Sequence, residues 1–164
     1  MTTQLVAAPH ITVRPELGDF SSIICFKALV VGIEEALGEK AAAIALLSAG
    51  RARGRTLAGE LGLKGSALSF DEVTKLLQQA LGKDGTRLCI VDKIVEVGDR
   101  IQVSCHETIC SAGEEQGSGR KLSFTLGAIQ GALEQLTGKR LRGKQIESVL
   151  TGSQFDVVEF ETLG

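Results

Sequence analysis

Apolar residues recur at helical spacing through the first half of the chain, and this pattern predicts three helices. The first spans Phe20–Leu37 and is apolar on most of its sides, which is typical of a buried helix. The second spans about Lys40–Leu61. The third begins after Ser69, because Glu72 three residues later completes a capping-box pattern, and it ends at Gly82.

The second half of the chain changes to the alternation of apolar and polar residues that is typical of strands. Leu88–Val97 and Ile101–Ile109 predict a hairpin that turns at Gly98-Asp99. In the second of these runs Val103 and Cys105 are expected on the buried face.

A fourth helix is predicted over Phe124–Thr137, after a glycine-rich stretch, and a second hairpin joins Ile146–Leu150 to Phe155–Glu161. The predicted fold class is therefore α+β, with N-terminal helices followed by a ββαββ unit and an antiparallel sheet. We expect residues 1–164 to form a single domain, with residues 1–18 as a loosely ordered arm.

Composition and charge mainly exclude classes of function. A net charge of -2 and a pI near 5.7 give no general attraction to nucleic acid or to anionic membranes. The most apolar stretch is too short and too charged for a transmembrane segment, and Met1–His10 does not have the pattern of a secretory signal. We expect a cytoplasmic protein whose four cysteines are reduced.

Candidate catalytic and metal-ligating residues are few. Cys105, His106 and Cys110 suggest zinc, and His10, Cys25 or Cys89 could complete the ligand set. Alternation along a strand, however, sends Cys105 and His106 to opposite faces. The same geometry makes His106 a poor base for the Cys105 thiol. The sequence therefore predicts no metal site, no catalytic residues and no enzyme.

The glycine-rich stretch Gly113–Gly119 has the composition of a phosphate-binding loop. It lacks the Gly-Lys-Ser/Thr ending and does not follow a parallel strand–helix unit, so it predicts a mobile surface loop and no bound cofactor.

Glycines spaced by four residues occur in two of the predicted helices. Gly50 and Gly54 lie on one face of the second helix, and Gly127 and Gly131 lie on one face of the fourth. Glycine costs about 1 kcal/mol relative to alanine inside a helix, so this spacing predicts a close approach of another backbone.

Arginines on the second helix allow two interpretations. Arg51 and Arg55 share one face, whereas Arg53 lies away from them. Solvated salt bridges are the ordinary interpretation, and a clamp for a polar group at the mouth of an apolar pocket is the alternative.

The C-terminal half resembles the 4-vinyl-reductase (hydrocarbon-binding) domain family. The likeness is carried by Thr125–Lys139 (TLGAIQGALEQLTGK) and by Ile146-Glu147-Ser148, Gly152 and 155–160. The segment Ala49–Arg55 (AGRARGR) is similar to that family's second helix. The resemblance implies a fold shared with trafficking-particle subunits and haem-NO-binding domains. It also implies an apolar pocket between helices and sheet, and a dimer to whose interface the N-terminal helices contribute.

One departure from the family concerns zinc. Relatives carry a zinc site whose positions correspond here to about Leu122, Gln145, Ser148 and Asp156, and no cysteine stands at any of them. The resemblance therefore does not extend to zinc.

These observations lead to two hypotheses. The first is non-catalytic binding of a small apolar ligand (a hydrocarbon, a lipid or a tetrapyrrole). The second is a scaffold or assembly factor that acts through a protein partner, in a photosynthetic or tetrapyrrole pathway. The candidate ligand-binding residues are bulky apolar groups on elements expected to meet, together with the two arginines on one face: Phe20, Ile24, Phe26, Leu47, Arg51, Arg55, Phe124 and Leu126.

Overall fold

A computed structural model describes residues 13–164, and within them four helices and four strands form an α+β fold. The predicted fold class is confirmed, with the N-terminal helices preceding the strands. His10 and residues 1–12 of the predicted arm lie outside the described residues. The elements are α1 (Ile23–Leu37), α2 (Glu39–Glu60), α3 (Phe70–Leu81), β1 (Ile90–Val97), β2 (Arg100–His106), α4 (Ser123–Thr137), β3 (Leu141–Glu147) and β4 (Asp156–Thr162).

The sheet is antiparallel throughout, with the strand order β1-β2-β4-β3. Each hairpin contributes one edge strand and one inner strand, and the inner strands β2 and β4 pair with Val103 opposite Val158. Both of these valines and Phe160 are fully buried. The core therefore lies on the face of the sheet that α3 and α4 cover.

The helix starts follow local chemistry. The Ser69 hydroxyl accepts a hydrogen bond from the Glu72 backbone N–H, and the Glu72 carboxylate accepts one from the Ser69 backbone N–H at 2.8 Å. This is the predicted capping box, and it satisfies two donors that the first helical turn leaves free. The Ser22 side chain caps α1 in a simpler way, by accepting from the Ile24 N–H at 3.2 Å.

Helices α2 and α4 touch through the four glycines that were predicted to allow a close approach. A Cβ atom added to Gly50 would stand 2.1 Å from the Phe124 carbonyl oxygen, and one added to Gly54 would stand 2.0 Å from that of Ala128. The contact is reciprocal, because a Cβ atom added to Gly127 or to Gly131 would stand 2.2 Å from a carbonyl oxygen of α2. No other residue type fits at these positions without moving a helix.

Two strand predictions were wrong. Strand β2 ends at His106, short of the predicted Ile109, because Glu107 adopts a positive φ of 47° and turns the chain into a loop. Strand β3 begins at Leu141, before the predicted Ile146, and Val149–Thr151 forms a 3-10 turn instead of continuing it.

Helix α1 also differs from its prediction. An all-round apolar helix was expected to be buried, but Val30 is its one buried residue. Ile24 is 76% exposed and Leu29 is 58% exposed. The physical reason is that α1 lies at the edge of the domain, so only one of its apolar sides reaches α2 and α4.

Among residues 13–164, no helix has the length and apolar character that crossing a membrane requires.

Candidate functional site

A narrow cleft opens where α1 crosses the start of α4. Its volume is about 10 Å³, which is room for about one water molecule. Its walls come from α1, from α2, from the first residues of α4 and from the loop over residues 107–122 that joins β2 to α4. The apolar side chains that line it are Phe26, Val30, Leu46, Ile109 and Phe124.

Two aromatic rings form the apolar wall. Phe26 of α1 and Phe124 of α4 meet edge to face, with ring centroids 5.6 Å apart and an interplanar angle of 74°. This geometry places the positive ring edge against the negative face and is a preferred arrangement of aromatic pairs. The pair forms an apolar contact between α1 and α4.

Charged side chains close the mouth of the cleft. Lys27 of α1 donates to the Glu114 carboxylate at 2.6 Å and to the Cys110 carbonyl at 2.8 Å. Arg120 donates to Glu34 of α1 at 2.8 Å, and its Nε lies 2.8 Å from Glu114 Oε1. We call Lys27, Glu34, Glu114 and Arg120 the ion-pair network; it ties α1 to the 107–122 loop.

The network shifts the ionisation of its members. Burial alone would raise the pKa of Glu114, but the hydrogen bond from Lys27 and the nearby positive charges of Lys27 and Arg120 outweigh it, and the pKa lies below its usual value. Burial likewise opposes the charge of Arg120, yet its hydrogen bond to Glu34 and the negative charges of Glu34 and Glu114 raise its pKa. Both groups therefore stay charged near neutral pH, and the network is intact there.

The 107–122 loop is held from below by a buried carboxylate. Asp156 is fully buried and accepts hydrogen bonds from Thr108 at 2.9 Å, Ser111 at 2.5 Å and Ser148 at 3.1 Å. The Gly117 N–H also donates to the Leu150 carbonyl at 2.7 Å. The loop predicted to be mobile is thus anchored at several points, and this fixes the wall of the cleft.

The structure brings together only two of the predicted ligand-binding residues, Phe26 and Phe124, at the cleft. Leu126 belongs to the hydrophobic core, and the half-buried Leu47 packs against that core. Leu46 lines the cleft in place of Leu47. Phe20 lies under the Arg87 guanidinium, 4.6 Å from it, and is outside the cleft lining.

The remaining three predicted residues also lie outside the cleft lining. Ile24 faces away from the domain, and Arg55 is exposed. Arg51 makes a bidentate ion pair with Glu134 of α4, at 2.7 and 2.8 Å, which joins α2 to α4. Arg51 therefore makes the salt bridge of the ordinary interpretation, but with a buried carboxylate and not a solvated one, since the Glu134 side chain is 7% exposed.

The ion-pair network was missed by sequence reasoning. The two pairs that join α1 to the loop, Lys27 with Glu114 and Glu34 with Arg120, are 87 and 86 positions apart, and no local spacing marks them. The available signal was the thin polar stripe of α1, Lys27 and Glu34 on an otherwise apolar helix, because such charges need partners when the helix packs.

No group of three or more metal-ligating side chains comes together within the described residues. His106 Nδ1 lies 2.7 Å from the Asp92 carboxylate, so its partner is a carboxylate on β1 and not a thiol. The positions that correspond to the family's zinc ligands are joined by hydrogen bonds instead. Leu122 N–H donates to Gln145 at 3.1 Å, and Ser148 donates to Asp156.

Comparison with known proteins identifies the fold. No protein-family model and no curated protein matches the sequence. Among solved structures, the chain is similar to the phenol-responsive sensory domain of the transcription activator PoxR with phenol, with a TM-score of 0.69 and 13% identity over 88% of this chain and 76% of that one.

Two further solved structures share the fold. One is a trafficking protein particle complex subunit 3 from Naegleria fowleri covalently bound to palmitic acid, with a TM-score of 0.61 and 17% identity over 87% of this chain and 93% of that one. The other is a vinyl-4-reductase family protein from Methanocaldococcus jannaschii, with a TM-score of 0.50 and 14% identity over 91% and 86%. The chain therefore has the fold that the resemblance implied, one shared by vinyl-4-reductase, trafficking-particle and phenol-sensing domains.

Proposed function

We propose that this protein binds a small apolar molecule in the cleft between α1 and α4 and carries out no chemistry on it. The observation that carries the proposal is the edge-to-face pair of Phe26 and Phe124, which forms an apolar wall behind a charged mouth. Ligand sites combine apolar lining with a few placed polar groups in this way. The phenol and palmitic acid named for two proteins of the same fold support an apolar ligand.

The ligand requires the cleft to widen, since the present volume holds about one water molecule. Helix α1 is the element that can yield, because it contributes only Val30 to the core. By contrast α2 and α4 are in backbone contact at four glycines and are also joined by the ion pair of Arg51 with Glu134, so they cannot separate without losing this packing. Movement of α1 away from Phe124 would open the cleft without disturbing the core.

Native mass spectrometry of the purified full chain, with organic extraction and an absorbance spectrum of the extract, tests the proposal. We expect a retained apolar molecule, and the spectrum distinguishes a hydrocarbon or lipid from a tetrapyrrole. Titration with phenol and 1-decanol by calorimetry then measures affinity directly. A chain that retains nothing and binds neither compound would overturn the proposal.

A matched pair of variants locates the site. Phe26→Asp places a carboxylate in the apolar wall, so we expect at least a tenfold loss of affinity. Phe20→Asp is the control, because Phe20 lies outside the cleft lining, and its affinity should stay within about twofold of the unchanged protein. Equal losses in both variants would place the ligand elsewhere.

We further propose that a second copy of the chain covers the outer side of α1 and the start of α2. Ile24, Leu29 and Leu37 of α1 and Ile44 of α2 are all more than half exposed, and several exposed apolar side chains on two adjoining helices favour an interaction site. The same surface also supports the second candidate function, a scaffold for a different protein partner. Because it lies on the outer side of α1, the two functions are compatible.

Both forms of the proposal suit a cytoplasmic protein, because the four cysteines are free thiols and three of them are buried.

A further inference from the structure

The charges around the cleft do not balance. Three cations (Lys27, Arg120 and Lys121) and two carboxylates (Glu34 and Glu114) line it or close its mouth. The ion-pair network accounts for two cations and both carboxylates. Lys121 is exposed, lines the cleft and makes no ion pair with any residue from 13 to 164. The cleft therefore carries one surplus positive charge.

A hydrogen-bond donor inside the cleft is also unused. The Nε–H of Arg120 is buried and makes no hydrogen bond within the described chain, although Glu114 Oε1 lies 2.8 Å from the nitrogen. A short nitrogen–oxygen distance is enough for an ion pair, but a hydrogen bond also requires the N–H to point at the oxygen. A buried donor without an acceptor costs free energy comparable to a lost hydrogen bond, so an acceptor that reached this nitrogen would be favoured.

We propose that the ligand is an apolar monocarboxylate whose carboxylate lies between Arg120 and Lys121 and whose apolar part lies against Phe26 and Phe124. This inference rests on the proposed function and names its ligand class. The single negative charge of a carboxylate balances the surplus positive charge of the cleft, whereas a doubly charged phosphate would leave the cleft with a net negative charge. The carboxylate also supplies an acceptor for the Nε–H of Arg120, and the planar guanidinium matches a carboxylate's geometry.

Two pairs of compounds that differ only in the acidic group test the proposal. Decanoate is compared with 1-decanol, and benzoate with phenol, by calorimetry on the full chain near neutral pH. We expect the acid of at least one pair to bind about tenfold more tightly than its neutral partner, as a charge-assisted hydrogen bond provides. The pair with the larger difference identifies the chain or the ring as the apolar part.

Ionic strength and a matched pair of lysine variants provide two further tests. Raising ionic strength should weaken acid binding and leave alcohol binding nearly unchanged. Lys121→Gln should lower acid affinity about fivefold and lower alcohol affinity clearly less, because only the acid has a charge for Lys121 to pair with. Lys139→Gln is the control, because Lys139 is exposed and lies outside the cleft lining.

The outcomes separate this inference from the proposed function. If alcohols bind as tightly as acids, or if Lys121→Gln weakens both equally, the carboxylate site is wrong while the apolar site stands. If no compound of either pair binds, both proposals are overturned. An acid preference that disappears in Lys121→Gln and persists in Lys139→Gln supports the carboxylate site.

Discussion

Gly54 lies so close to α4 that its missing side chain determines how near the two helices can come. A Cβ atom there would stand 2.0 Å from the Ala128 carbonyl oxygen, which is backbone and cannot rotate away. We expect Gly54→Ala to lower the free energy of unfolding by about 3 kcal/mol, since overpacked interiors must shift. Urea denaturation followed by circular dichroism measures this change.

Gly59→Ala on the same helix is the matched control. Gly59 is exposed and has no neighbour within 4 Å of an added Cβ, so alanine should raise stability by about 0.5 to 1 kcal/mol through its better helix propensity. Equal effects at Gly54 and Gly59 would contradict the close contact of the helices.

Glu134 joins three elements at one carboxylate. It pairs with Arg51 of α2, accepts from the Leu141 N–H at the start of β3, and lies 3.4 Å from Gln130 Nε2. Burial would raise its pKa, but the hydrogen bonds from Arg51, Leu141 and Gln130 lower it below the usual 4.5. Its contribution to stability is therefore present above that pH and is lost as the pH falls through the lowered pKa.

Glu134→Gln should cost about 3 kcal/mol at neutral pH, because Arg51 loses its charged partner. Below pH 4.5 the stability of the variant should also fall less steeply with pH than that of the unchanged protein. Urea unfolding at a series of pH values checks both. Glu60→Gln is the comparison, since the ion pair of Glu60 with Arg53 is solvated and should contribute less than about 1 kcal/mol.

At the scale of elements, α1 is attached by its packing against α2, by the ion-pair network and by the contact between Phe26 and Phe124. Glu114→Gln removes the carboxylate that both Lys27 and Arg120 approach. We expect faster hydrogen–deuterium exchange across α1, by about tenfold, with little change in α2 or α4. Glu115→Gln, an exposed neighbour in the same loop, should leave exchange unchanged.

Acid should have the same effect as this substitution. The pKa of Glu114 is lowered in the folded protein. The stabilisation that Glu114 gives to α1 is therefore fully present above the usual pKa of a glutamate, and it is lost as the pH falls through the lowered pKa. An α1 helix that stays equally protected in Glu114→Gln would show that the apolar contact alone holds it.

The helices were the more predictable elements, because caps and glycines mark their ends locally. Ser69 with Glu72, Gly38 and Gly82 lie at helix boundaries in the structure. The start of β3 was missed because Arg142 and Lys144 alternate with small or polar residues, and their strand character comes from pairing with Glu161 and Glu159 of β4. That pairing is non-local and has no signature in the segment itself.

At the scale of the whole molecule, α1 presents its apolar outer side away from the domain. If a second copy covers it, Ile24→Glu should convert a dimer into a monomer, because it places a charge in an apolar interface. Light scattering coupled to size-exclusion chromatography measures the mass, and circular dichroism verifies that the variant is folded.

Val97→Glu is the control, since Val97 is 49% exposed on β1, away from α1. A wild-type chain that is a monomer at every concentration would rule out the second copy and favour a different protein partner on this surface.

The candidate site was only partly predictable. Phe26 and Phe124 were selected as bulky apolar residues on elements expected to meet, and they do meet. Phe20 and Ile24 were selected on the same ground and lie outside the cleft, because composition does not tell which side of an apolar helix faces inward. The charged mouth required the three-dimensional arrangement of α1 and the 107–122 loop.

The pairing of β2 with β4 has a consequence for how the chain folds. Its partners are far apart in sequence, as with Gln102 and Glu159, which are 57 residues apart, whereas each hairpin closes locally. Closing so long a loop is slow compared with hairpin formation, so the hairpins should form first and join last. Until they join, β2 and β4 have unpaired edges, and refolding at high concentration should lose material to aggregation at this stage.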